Sequence, residues 1–228
     1  MIRRTQILLE LLQNGIETFL FEADCLWVKN PLLFSLKFSK YDITFGGITG
    51  TSEITGGLMY LIPNKATIET FRELNKMLIN LEFKMQYMSS EQFISAAEND
   101  QMFLSYLVRK KFAGLKSNVI SSSLFADGKW YCMSRKEKLM SSPLLINNNW
   151  VVGNINKTAR AKMWGHWFTN DDNTCNFKQV DNIIDHWQVN VIEPTNPNLY
   201  SPCDGNTLKQ SLEFLVLCLW VCNLLKIV

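Results

Sequence analysis

The chain has 228 residues, 47% hydrophobic and 19% charged, which excludes a disordered protein and allows one large domain or two small ones. Its net charge is +2, from 23 basic and 21 acidic residues with no long basic block, so charge gives no case for a nucleic-acid partner. The six cysteines (Cys25, Cys132, Cys175, Cys203, Cys218, Cys222) form no Cys-x-x-Cys pair and stand beside only two histidines, His166 and His186, which argues against a zinc site. An even count permits disulfides, but the chain is too long for a disulfide scaffold.

Arg3 and Arg4 are not followed by an apolar signal core, because Glu10 breaks the run from Ile7 to Leu12. The spacing predicts a helix over Thr5–Gln13, stopped by Asn14-Gly15. Next comes FLFEADCLWVKNP, residues 19–31. Its aromatic run reads as a buried strand, and it delivers two carboxylates one residue apart, Glu22 and Asp24. Carboxylates at the end of a buried strand are costly without a partner. Hard oxygen ligands at i and i+2 suit Mg²⁺ or Mn²⁺ carrying a diphosphate. Solvated carboxylates at a strand end are the plainer reading of the same residues.

Tyr41–Thr49 predicts a second strand, weakened by Gly46-Gly47, and Gly56-Gly57 precedes a third over Leu58–Ile62. Asn64 is a candidate N-cap for a helix whose apolar face is Ile68, Phe71, Leu74, Leu78 and Leu81. Another helix begins near Asn99-Asp100 and ends in Arg109, Lys110 and Lys111, cations that suit a helix C-terminus. Asp127-Gly128 predicts a turn, Pro143–Ile146 a short strand, Thr158–Trp167 a helix, and Thr169–Asn176 and Pro194–Asn206 irregular chain. The final stretch, LEFLVLCLWVCNLLKIV, is apolar on all sides of a helix, but its uncharged run is shorter than the ~20 residues a membrane span needs. It reads as a buried or interfacial helix, a cut-off membrane segment or a gene-boundary artefact. Strands alternate with helices, so the class is α/β.

Five motifs stand in order: GIETFLFEADCLWVKNP, TGGLMYLIPN, NDQMFLSYL, FADGKWY and INNNWVVGNINK. Together they resemble the nucleotide-diphospho-sugar transferase family, a GT-A-type group that includes glycosyltransferase family 77, from about Leu8 to Trp167. The resemblance implies a mixed sheet flanked by helices. It also implies transfer of a sugar, with retention, from a nucleotide sugar (a UDP-sugar) to a hydroxyl on a glycan or glycoprotein. The family's Asp-x-Asp motif, which holds Mn²⁺ or Mg²⁺, falls on Glu22 and Asp24, with Glu for the first Asp. Its Asn-Ser-Gly turn falls on Thr55-Gly56-Gly57, of which Gly57 agrees.

Asp100 and Gln101 match an Asp-Gln pair that places donor sugar and acceptor hydroxyl; helix capping is the alternative for Asp100. The fourth region puts Asn147 where the family has a metal-ligating His, and keeps Asn148, Asn149, Trp150, Gly153 and Lys157. Asn148, Gly153, Gly57 and Lys157 would face the donor, with Lys157 as a point charge on the diphosphate. Trp27 and Trp150 are expected to be packing residues, His166 and His186 structural, and Cys25 a buried small side chain.

Only 21 residues precede Glu22, so the resemblance implies a partial GT-A domain over residues 1–190, truncated at its N-terminus, then an irregular segment and apolar helix over 191–228. It implies residence in the lumen of the Golgi or another secretory membrane. Membrane association would come through a missing N-terminal anchor or the apolar tail. The rival is a non-catalytic, degenerate member acting as a binding module, favoured by the short front, Glu22 for Asp and Asn147 for His.

Overall fold

The computed structural model describes residues 2–30, 38–47, 54–89, 95, 98–141 and 143–185. His186, Cys203, Cys218, Cys222 and the 191–228 segment lie outside them. The architecture is mixed α/β, as expected, with two mixed sheets in two compact units. The first unit is Met1–Phe21 with Leu32–Ser121, and the second is Glu22–Pro31 with Ser122–Val228.

In the first unit, α1 (Ile2–Gln13) buries Thr5, Leu8 and Leu12 on one face and ends at Gly15, whose φ of +75° suits a residue without Cβ. Strands β1 (Thr18–Phe21), β3 (Ile43–Gly47), β4 (Ile54–Leu61) and β5 (Ser117–Ile120) form a sheet in the order β1-β4-β3-β5. β3 and β5 run parallel; the other two pairings are antiparallel. β1 is half-buried throughout rather than buried, because it is an edge strand paired only with β4. The Gly56-Gly57 pair lies inside β4, not ahead of it.

Asn64 caps α2 (Lys65–Gln86) as predicted, accepting from the Thr67 N–H at 3.0 Å. Of the predicted face of α2, Phe71, Leu74 and Leu78 join Leu8, Leu12, Ile43, Leu61 and Leu107 in one core, with Ile68 packed against it. α3 (Asp100–Arg109) is capped by Asn99, which accepts from the Met102 N–H at 2.9 Å, so Asp100 is its first helical residue rather than its cap.

The second unit opens with β2 (Cys25–Trp27), pairs it antiparallel with β7 (Leu145–Asn147), and adds β6 (Phe125–Ala126) parallel to β7. The predicted turn at Asp127-Gly128 becomes a 3₁₀ helix, Gly128–Cys132, because the Asp127 carboxylate caps it through the Lys129 N–H. α4 (Arg135–Met140) carries a Ser134–Glu137 capping box. α5 (Asn154–Met163) starts and stops earlier than predicted, between Gly153 at φ +84° and Gly165 at φ +69°. α6 (Phe177–Asp185) contributes Val180 to a core of Leu26, Trp130, Tyr131, Ile146, Trp164 and Phe168. Cys132 and Cys175 are each disulfide-bonded, whereas Cys25 is a free thiol.

Candidate functional site

A turn closed by the Cys25 N–H on the Glu22 carbonyl carries Glu22 and Asp24 into β2. Antiparallel pairing sets Asn147 opposite Cys25. This brings Asn147 Nδ2 to 3.2 Å from Glu22 Oε2, 125 residues away in sequence. From the first turn of α5, Lys157 Nζ donates to Asp24 Oδ2 at 2.6 Å, with both side chains about a quarter exposed. Glu22, Asp24, Asn148, Asn154, Lys157 and Thr158 line a cavity of about 260 Å³, together with Tyr131, Ala161, His166 and Phe168.

The partner that offsets the Asp24 charge is therefore Lys157, a residue the sequence reading assigned to a diphosphate. Asn148 also lines the cavity, yet both ends of its amide are engaged within the chain. Oδ1 accepts from Arg160 Nε at 2.7 Å and Nδ2 donates to the Lys157 carbonyl at 2.9 Å. Its visible work is to tie β7 to α5. Gly153 supplies the left-handed turn that starts α5 and accepts, through its carbonyl, from the Lys157 N–H.

Asn147 Oδ1 is buried with no hydrogen-bond partner. An orphaned acceptor costs about 1–3 kcal/mol. The amide cannot relieve this by flipping, since its oxygen would then face the Glu22 carboxylate. Asn147 turns Nδ2, not its oxygen, to Glu22, so an oxygen ligand from Asn147 requires the amide to turn; the Glu22 and Asp24 carboxylates are the hard donors already in place of the kind Mg²⁺ and Mn²⁺ take. Among the described residues no three His, Cys, Asp or Glu side chains cluster as ligands. The protein would thus supply few ligands, as is usual for a cation shared with a phosphate.

Gly57, Asp100 and Gln101 belong to the first unit. Asp100 is buried there, with Oδ2 accepting from Arg4 Nη2 and Oδ1 from the Gln101 N–H at 3.0 Å. Gln101 Oε1 accepts from the Gly56 N–H at 3.3 Å, and the Gly57 N–H donates to Thr55 Oγ1 at 3.3 Å. Arg4 was passed over in the sequence because nothing in its neighbourhood marks a partner 96 residues away. Arg160, almost fully buried over the Tyr131 ring, was missed for the same reason.

Cys25 is half-buried rather than buried; desolvation and the charges of Asp24 and Glu22 push its thiol well above the usual range, which disfavours the thiolate. Trp27 packs edge-on against Phe125, as expected. Trp150 is only half covered: it is 50% exposed, with Lys129 Nζ 4.0 Å from its ring centroid.

His166 is structural in the sense expected, its Nδ1 sharing a 3.0 Å hydrogen bond with the Tyr131 hydroxyl. Burial, with the Arg160 charge adding to it, pushes it down to about 3 from an ordinary 6.5. The imidazole is neutral in the fold, whereas the unfolded chain binds a proton below 6.5. Its contribution is full above pH 6.5 and lost as pH falls toward 3. Denaturant titrations across that window are expected to show a steeper fall in stability for the wild type than for His166→Phe. Equal slopes would mean that the imidazole is charged in the fold.

The nucleotide-diphospho-sugar transferase family model matches residues 1–161. A UDP-galactose:fucoside alpha-3-galactosyltransferase of Dictyostelium discoideum is 20% identical over 178 residues, 73% of this chain and 27% of that protein. The chain thus spans about a quarter of the length of that curated relative. No solved structure matches it. The match over most of the chain, on the stretch that brings Glu22, Asp24, Asn147 and Lys157 together, places this protein in the nucleotide-diphospho-sugar transferase family.

Proposed function

We propose that this chain carries the diphosphate-binding part of a retaining glycosyltransferase, which moves a sugar from a nucleotide-diphosphate donor to a hydroxyl acceptor. The observation that carries the reading is that Glu22, Asp24 and Lys157 line one cavity, with Lys157 paired to Asp24 and Asn147 hydrogen-bonded to Glu22. Glu22 and Asp24, with Asn147 once its amide turns its oxygen toward them, would hold Mn²⁺ or Mg²⁺. A divalent cation there supplies positive charge where the leaving diphosphate gains negative charge. Lys157, poised on the first turn of α5, exchanges its carboxylate partner for a diphosphate oxygen. Gly153 fixes the start of that helix, whose N-terminal end also favours an anion. With retention, the acceptor hydroxyl attacks from the face the diphosphate leaves.

The name of the Dictyostelium relative makes UDP-galactose the donor, and a fucoside the acceptor, to try first. The disulfides at Cys132 and Cys175 support an oxidising secretory lumen as the compartment. Among the described residues no helix is long and apolar enough to cross a membrane.

A second reading has its own observation. The Asp24–Lys157 pair is already complete without a cation, as a degenerate binding module would leave it. Thermal-shift titration with UDP, with and without Mn²⁺, separates the two. A rise that needs both supports the enzyme. A chain that melts cooperatively and ignores both supports the module.

A further inference from the structure

Trp150 is the exception among the described tryptophans: Trp27 and Trp167 are half-buried, and Trp130 and Trp164 are buried. Its φ of +62° is unusual for a bulky side chain and costs on the order of 1–3 kcal/mol. The loop is held firmly enough to keep that conformation. The Asn148 N–H donates to the Asp24 carbonyl at 3.2 Å, the Gly128 N–H to Asn149 Oδ1 at 2.6 Å, and Arg160 Nη2 to the Asn149 carbonyl. Lys129 fixes the lie of the ring by sitting over its face. A half-exposed indole, covered by Lys129 on one face and set on a strained, pinned backbone, is a presented group rather than a loose one. The loop that presents it joins Asn148 to Asn154, both of which line the cavity with Glu22, Asp24 and Lys157.

We propose that Trp150 is a carbohydrate platform, on which one pyranose ring of the acceptor stacks beside the diphosphate-binding end of that cavity. The inference rests on the transferase reading above and adds the acceptor's place to it. An indole offers a flat apolar face with a polar N–H at its edge, which matches a sugar ring whose C–H faces are apolar and whose hydroxyls point outward. Val152 and Ile155, two and five residues further along the chain, are also exposed. A single indole face suits one sugar ring, whereas a standard protein interface buries ~800 Å² per partner.

The test uses the whole chain, with methyl fucoside, methyl galactoside and methyl glucoside as probes in saturation-transfer NMR, alongside the UDP–Mn²⁺ thermal shift. At least one glycoside is expected to receive saturation on its ring C–H protons from the wild type. The signal should persist, weakened, in Trp150→Phe. Binding should fall about tenfold or more in Trp150→Ala, in line with loss of an anchoring aromatic side chain. The UDP–Mn²⁺ shift should be the same in all three proteins, which also shows that the variants fold. No transfer from the wild type, or equal transfer from Trp150→Ala, overturns the platform while leaving the donor site untouched. Loss of the UDP shift in Trp150→Ala with glycoside binding intact also overturns it, and makes the indole a nucleobase support. Glycoside binding that depends on Trp150 without any UDP shift upholds the platform and overturns the donor reading instead.

Discussion

Asp24→Asn is expected to abolish the Mn²⁺-dependent rise in melting temperature that UDP gives the wild type. Asp24 holds two positions at once. It is one of the two carboxylates in the candidate oxygen donor set, and it is the partner of the Lys157 ammonium at 2.6 Å. The amide keeps the shape and removes the charge. A hard divalent cation then loses one of its two anionic donors, and Glu22 with the Asn147 carbonyl is a poor set by itself. Lys157 also loses its counter-charge. Both side chains are about a quarter exposed, so solvent screens the loss. Without ligand, the variant should be less stable by only about 1 kcal/mol, the upper end of what exposed pairs contribute. A small cost without ligand and a complete loss of the metal-dependent shift is the combined result to look for. An Asp24→Asn protein that keeps the full shift would show that Asp24 holds no cation. One that fails to melt cooperatively would show that the ion pair matters to the fold more than its exposure implies.

Gly128→Ala is expected to destabilise the second unit by about 3 kcal/mol or more, at the upper end of what forced overpacking costs. A Cβ built at Gly128 would lie 1.8 Å from the Asn149 carbonyl oxygen and 2.7 Å from its carbon. Both are backbone atoms of a loop held from three directions, so no side chain can swing aside to make room. Relief requires the 148–150 loop to back away from the 3₁₀ helix, which breaks the 2.6 Å bond from the Gly128 N–H to Asn149 Oδ1. It also loosens the Arg160 clamp on Asn148 and Asn149. The variant should therefore lose glycoside binding at Trp150 even at temperatures where it stays folded. Urea unfolding gives the stability, and the saturation-transfer experiment gives the loop. A Gly128→Ala protein as stable as the wild type would mean that the loop yields easily, contrary to its hydrogen bonding. As a control, Gly114→Ala meets no atom within 4 Å; only its φ of +77° opposes it, so a smaller loss is expected.

Local signals in the chain carried much of the fold. Asn64 and the Ile68, Phe71, Leu74, Leu78 spacing fixed α2, and Asn14-Gly15 fixed the end of α1, because caps and apolar periodicity act over one or two turns. The limits of α5 were misplaced because two left-handed glycines, not side-chain pattern, decide them. The acidic pair and the basic residue of the site were legible as residue types in the chain. Their grouping was not. Glu22 meets Asn147 only because β2 and β7 pair in one register, and Lys157 meets Asp24 only because Gly153 starts α5 where it does.

Sequence alone determined the α/β class, the capped helices and the family, since each depends on the kinds of residue present and their local spacing. Only the tertiary structure decided that Asp24 already has a cation beside it, that Asn147 keeps a buried oxygen without a partner, and that Trp150 faces outward. These are matters of what lies across a sheet or over a loop. Charge pairing, desolvation and exposure depend on distances between atoms far apart in the chain, and no local pattern encodes such distances.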